Sequence, residues 1–297
     1  MINYLIFKDT VLDMLNPPLS LLSDDLLVSI VEHLAKIQCS YGYLYNLSLA
    51  DRAFTESCQK YIFQELIIGD EWNISKELTR VKKILEDKPL LTNRVRMVEL
   101  LYYNDKESLF KDPNFTSILQ LFDKSLMPPH ELNFSGRPFV WSIIEDPIFV
   151  TRQLAESFFS QSLTILRLSK ISNAPLPLFL ICPKLRQVFL DRVRASEKSY
   201  NNYPDAQCSG RGAPLLEVLE YHSSHTVIEQ MIVPPPRFNT PVVLWSNLRV
   251  LTLAPHDKEG MAYLQPILNA ACNSLEELYL TRLNEDESRC CGSDNTK

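Results

Sequence analysis

The residues of this chain whose types could do acid–base, nucleophilic or metal chemistry are few and scattered. There are five histidines and seven cysteines in 297 residues, and no CxxC. His222 and His225 stand three apart with Cys208 upstream. A structural zinc site takes four nitrogen or sulfur ligands at tight spacing, and this set falls short of it, so both histidines read as surface residues beside a strand. His33 reads as a solvated residue at the edge of a helix. No GxSxG, GxxxxGK[ST] or HExxH occurs, so no nucleophile elbow, phosphate cradle or zinc-protease pair is present in the sequence. The carboxylates Glu285, Asp286 and Glu287 lie in a polar tail and read as a solvated end. No catalytic residue, metal or cofactor is assigned, and the chain does not read as an enzyme. What remains is binding, and Arg167, Phe189 and Tyr279 are of the types that anchor protein interfaces.

The totals agree with a binding protein. The apolar fraction is 45% and the charged fraction 22%, which is ordinary for a folded domain. The net charge of −6 speaks against a phosphate-binding surface, so nucleic acid is not an expected partner. No apolar run reaches the roughly 18 residues of a membrane span. The start MINYLIFKDTVLDML lacks a basic leader region. Scattered, odd-numbered cysteines fit reduced thiols and a cytoplasmic or nuclear place. With 19 prolines against 7 glycines, proline supplies much of the punctuation between elements.

The elements that position the interface residues come from a repeat. L-x-x-L-x-L, with conservative replacements, starts at Leu163, Leu185, Leu216, Leu248 and Leu275, at intervals of 22, 31, 32 and 27 residues. Fainter copies start at Phe63, Val95 and Pro129. Alternation within each copy predicts a short strand. Helical stretches are predicted between them, at 74–85, 114–122, 148–159, 227–232 and 258–271. Strand, return helix and strand at such intervals describe stacked repeats. Positions one, four and six face the core. Positions three (Ile165, Gln187, Val218, Val250, Glu277) and five (Arg167, Phe189, Glu220, Thr252, Tyr279) face the other way. The candidate partner-binding residues are Arg167, Phe189, Glu220, Thr252 and Tyr279 with Ile165, Gln187 and Val250.

Before the repeats lies LSDDLLVSIVEHLAK, from Leu22 to Lys36. Leu22, Leu26, Leu27, Ile30, Val31 and Leu34 share one helix face. Ser23 is placed to cap that helix through its side chain, with Asp24 and Asp25 at the positive end of the dipole. In the next segment Leu44, Leu47, Ala50, Phe54, Cys58, Tyr61 and Ile62 keep helical spacing, with a bend and a second cap expected at Asp51. Together the two segments carry more apolar surface than one three-helix packing needs.

Taken in order, Leu22 to Leu27, Ile30, Leu34 and then Leu47 to Phe54 resemble the F-box. That family's pattern is leucine-proline, an acid, two apolar residues, a spaced isoleucine and leucine, then leucine-serine-leucine and an arginine. Ser23 stands where the family usually has proline, and the loop KIQCSYGY is a few residues long for it. The resemblance covers 19–66 and implies a three-helix module that binds a Skp-family adaptor and, through it, a cullin. It implies adaptor contacts from Leu22, Leu26, Leu27, Ile30, Leu44, Leu47 and Leu49, some shared with the module's own core.

The repeats resemble, in degenerate form, the leucine-rich repeats found behind F-boxes. Cys182 and Cys272 match that family's cysteine-containing class, where the thiol is packed. The family's asparagine ladder is missing: its place holds Ile171, Val193, Ser224, His256 and Leu283, so the turns must satisfy their backbone another way. The expected fold is an α/β (or α+β) solenoid, a three-helix F-box followed by an irregular leucine-rich-repeat horseshoe. The expected parts are an extension at 1–18, the F-box-like module at 19–66, the repeats at 67–283 and a polar tail at 284–297. That tail is too polar to cap the last repeat: either it folds back or the chain is a shortened product of a longer gene. The implied function is that of a non-catalytic substrate-recognition subunit of an SCF-type ubiquitin ligase, with an unidentified protein substrate. The alternative is a ubiquitin-independent repeat scaffold with a decayed F-box.

Overall fold

Period-two alternation puts one side of a strand into a core and the other towards solvent. In the computed structural model the repeated segments do this in phase. The structure describes residues 23–37, 41–69, 73–102, 108–136, 142–143, 147–155, 157–174, 176–195, 212–233, 242–254 and 261–280. Over these residues the chain is α/β, mixed helix and strand with a parallel sheet of eight strands. Its contacts divide it into two units, 1–133 and 134–297. No helix among the described residues is long and apolar enough to cross a membrane. Loops are expected from the sequence at an insert from Ser196 to Pro214 and at the proline run Pro234 to Pro236; residues 196–211 of the insert, the proline run, the extension at 1–18, Leu22 and the tail from 281 fall outside the described residues.

The first unit opens with three helices, α1 (Asp24–Ala35), α2 (Tyr41–Ala50) and α3 (Arg52–Ile62). The bend expected at Asp51 is there, and its carboxylate accepts the Ala53 amide at 2.9 Å. Ser23 is the N-cap of α1, but its hydroxyl makes no cap bond. The Leu26 amide donates instead to the Ser23 carbonyl at 2.9 Å, so the first turn is closed without the side chain. Strand β1 (Glu65–Ile68), α4 (Ile74–Asp87), a 3-10 turn at Pro89–Asn93 and β2 (Met97–Tyr102) follow. Then come α5 (Ser108–Lys111) and α6 (Pro113–Asp123), and the division at 133/134 falls within the next strand, β3 (Glu131–Gly136). The faint repeat copies are in phase: Leu66 lies opposite Val98 and Ile68 opposite Leu100, all four buried. Asn73 and Asp112 cap α4 and α6 through their side chains. These two helices pack together through apolar faces that include Leu78, Val81, Ile118 and Phe122, all buried.

Between β1 and α4, Gly69 takes φ +103°. A β-carbon there would stand 2.3 Å from the Leu101 carbonyl oxygen, so the close approach of backbones admits only glycine. Both carboxylate oxygens of buried Glu77 accept the Gly69 amide, each at 3.2 Å.

The second unit contains β4 (Ser142–Ile143), α7 (Pro147–Ala155), α8 (Phe159–Ser162), β5 (Ile165–Ser169), β6 (Ile171–Ser172) and α9 (Pro177–Leu180). It continues with β7 (Gln187–Asp191), β8 (Val218–His222), α10 (His225–Ile232) and β9 (Val250–Ala254). It ends with a seven-residue helix, here α11 (Leu264–Ala270), and β10 (Glu277–Leu280). The helix expected over 148–159 is two helices, with Ser157 between them turning its hydroxyl back to the Leu154 carbonyl. A two-residue pairing of β4 with β6 and the one-turn helix α9 were not expected.

Strands β5, β7, β8, β9 and β10 follow one another in chain order, and the five repeat copies align position for position. Core positions one, four and six are buried in the first four copies. In the fifth they are not. Leu278 is 42% and Leu280 57% exposed, because β10 has a paired neighbour on one side only among the described residues. Cys182 is packed as expected, but Cys272 is exposed, since the fifth layer has nothing described beyond it.

The missing asparagine ladder is replaced in two ways. The residues that follow β5, β7 and β8, namely Lys170, Arg192 and Ser223, all take positive φ. The Lys170 and Arg192 amides then donate to the Asp191 and His222 carbonyls, each at 2.8 Å. Burial, and then the neighbouring Arg192 charge, hold the Lys170 ammonium below its ordinary value. Beyond the turn, side chains act as caps: Ser224 Oγ accepts the buried Val193 amide at 2.9 Å and Thr226 Oγ1 the Ala195 amide at 3.1 Å. A further row runs along position two, where Thr164, Arg186, Glu217, Arg249 and Glu276 follow layer by layer through backbone hydrogen bonds. Arg186 pairs with Glu217, and Arg249 pairs with Glu276 through two bonds of 2.8 and 2.7 Å.

Candidate functional site

The first candidate surface is on the three-helix module. Leu27, Val31, Leu44, Phe54, Cys58 and Ile62 form its core, with Leu47 packed against it and partly buried. Leu27 and Leu44 were expected among the adaptor contacts. The structure puts them inside, because Leu27 and Val31, one turn apart, face α3. What the core leaves out is Leu26 at 53%, Ile30 at 39% and Leu49 at 45% exposure. Leu26 and Ile30 are four residues apart, hence one above the other on a single face of α1. Val28, Tyr41 and Tyr43 are exposed too, and the sequence reading had not singled them out. His33 is exposed in the last turn of α1, as expected.

The second candidate surface is the face of the sheet in the second unit that turns away from the core. Arg167 lies opposite Phe189, Phe189 opposite Glu220, Glu220 opposite Thr252 and Thr252 opposite Tyr279. The five position-five residues chosen from the sequence thus form one unbroken row across five strands. Ile165, Gln187, Val218, Val250 and Glu277 form the parallel row beside it. All but Glu277 and Tyr279 are half-buried. The Arg167 guanidinium stacks on the Phe189 ring, 3.8 Å from its centroid. Glu220 Oε1 lies 3.3 Å from His222 Nε2. The Tyr279 hydroxyl donates to Glu277, which holds the phenol above its ordinary value.

One more row lies on this face, and the sequence reading missed it. Ser169 lies opposite Asp191, and Asp191 opposite His222. These are the residue types of a hydrolase triad in the wrong order. The acid stands between the other two: Ser169 Oγ donates to Asp191 Oδ2 at 3.1 Å, and Arg192 binds both Asp191 oxygens. A nucleophilic serine needs a base at hydrogen-bond distance, and here its partner is a carboxylate already tied to a guanidinium. Among the described residues no group of three or more His, Cys, Asp or Glu is placed to hold a metal. Cys208 falls outside them.

No family model matches the chain, and no curated protein is significantly similar to it.

Proposed function

We propose that this chain is a non-catalytic substrate-recognition subunit of an SCF-type cullin–RING ubiquitin ligase. In this reading the three-helix module is an F-box that docks on a Skp-family adaptor, and the strands and helices behind it are degenerate leucine-rich repeats that hold a protein substrate. The observation that carries the proposal is the surplus of the module. Its core is built from other residues of the same helices, and Leu26, Ile30 and Leu49 remain outside it. Apolar surface left in water drives association at about 25 cal/mol per Å2. The in-register row from Arg167 to Tyr279 supports the second half of the reading. A subunit of this kind does no chemistry itself; it raises the effective concentration of substrate near the transfer machinery.

The test is co-purification with a Skp-family adaptor, wild type against Leu26→Asp, with folding of both checked by circular dichroism. Capture by the wild type and its loss in the variant is the expected result. A folded wild type that captures no adaptor overturns the ligase reading and leaves a ubiquitin-independent repeat scaffold.

A further inference from the structure

The largely half-buried row in the second unit has a polarity and a spacing, and together they select an occupant. At one end is a cation, Arg167 on β5, stacked on Phe189. Two strands on is an anion, Glu220 on β8, and two strands further is Tyr279 on β10, hydrogen-bonded to Glu277. Neighbouring strands lie about 4.8 Å apart, so these three groups recur at about 9.6 Å. An extended β-type peptide laid across the strands brings its side chains down every second residue, about 6.8 Å apart, and loses step at once. An α-helix presents a turn every 5.4 Å or so and drifts by about 0.6 Å at each strand. A polyproline II segment presents every third residue, about 9.3 Å apart, and stays in step from β5 to β10. Between the charged stations lies Thr252, a small residue flanked by Glu220 and Tyr279. Half-buried Val218 and Val250 beside the row supply apolar floor for pyrrolidine rings.

We infer that this face binds a proline-rich polyproline II segment with an acidic residue opposite Arg167 and basic residues three and six positions along, opposite Glu220 and the Glu277–Tyr279 pair. The inference rests on the proposal that this face holds the substrate, and it names the chemistry of the segment recognised. Every third side chain meets a polar station of the row, so the two between each pair are the natural places for proline, whose rings lie against the apolar floor.

The experiment uses the full chain and two fluorescent heptapeptides. One reads aspartate-proline-proline-lysine-proline-proline-lysine, and the other is its reverse, since the direction across the strands is open. A control of the same composition places its charges two residues apart. Binding is followed by fluorescence anisotropy. One of the two ordered peptides is expected to bind at least tenfold more tightly than the control. The Arg167→Glu/Glu220→Lys variant should lose that preference, and so should Tyr279→Ala on β10. Equal binding of ordered and control peptides, indifference to these substitutions, or no binding of any peptide would overturn the inference. Adaptor capture is measured on the same preparations. Capture without peptide preference sinks this inference alone. Peptide preference without capture sustains it while removing the ligase reading.

Discussion

Ser224 Oγ accepts the Val193 amide at 2.9 Å and donates to the His222 carbonyl at 2.8 Å. One buried hydroxyl thus joins two layers of the sheet where no asparagine ladder exists. Ser224→Ala leaves a buried amide without its partner, at a cost of about 1–3 kcal/mol. A urea titration that shows an unchanged midpoint would mean another group takes the amide. Thr226→Val, at the half-buried Ala195 amide, should cost less.

Leu26 and Leu27 are sequence neighbours on opposite sides of one boundary. Leu27→Ala opens the module's core and should destabilise it by about 2–5 kcal/mol. Leu26→Asp should stay within about 0.5 kcal/mol of wild type. If the two substitutions cost the same in denaturant unfolding, Leu26 belongs to the core and the proposed docking surface disappears.

Gly69 is fixed by the Leu101 carbonyl that a β-carbon would strike and by its positive φ. Gly69→Ala should lower stability by roughly 1–3 kcal/mol or more. Thermal unfolding reads this directly, and an unshifted midpoint would show that the turn relaxes.

Alkaline pH should loosen the fold in a defined window. Burial pushes the Cys58 thiol up to about 11 and the Tyr221 phenol up to about 12. Both groups bind their protons more tightly folded than unfolded. Their contribution is therefore fully present below the ordinary thiol value of about 8.5, and it fades as pH rises towards the folded values. In native protein at pH 8, exposed Cys272 should be alkylated well before buried Cys58 and Cys182, as read by peptide mass spectrometry. Equal labelling of the three would contradict that burial.

Leu278 and Leu280 stand at core positions but are exposed on the strand that ends the sheet among the described residues. Such an edge invites pairing with other chains. Leu278→Lys/Leu280→Lys should reduce concentration-dependent association in sedimentation while moving the unfolding midpoint little. A wild type that does not associate as concentration rises, or association unchanged in the variant, would contradict this.

The phase of the repeats was legible because burial writes it. Leucine at positions one, four and six is what a layered core demands, so even the faint copies at Phe63 and Val95 predicted the register of β1 with β2. The break at Asp51 was legible from capping chemistry. The division of labour between Leu26 and Leu27 was not, since both lie on one broad apolar face and only the position of α3 separates them. The idle hydroxyl of Ser23 escaped prediction because a carbonyl and a side chain competed for the same amide. Helix α9 and the β4–β6 pair are too short to carry a period. The caps at Ser224 and Thr226 bridge residues 31 apart, a relation that local pattern cannot hold. The position-two row was readable as T-R-E-R-E, once the copies were stacked.

That row has a parity. Its signs alternate from Arg186 to Glu217, Arg249 and Glu276, so each layer presents its neighbour with the opposite charge. Excising the single layer that carries Glu217 would set Arg186 beside Arg249. Excising two layers together would restore the alternation. Each surface pair is screened by water and weak on its own, but the rule accumulates along the row. It makes two layers, rather than one, the unit in which a chain of this kind gains or loses length most smoothly.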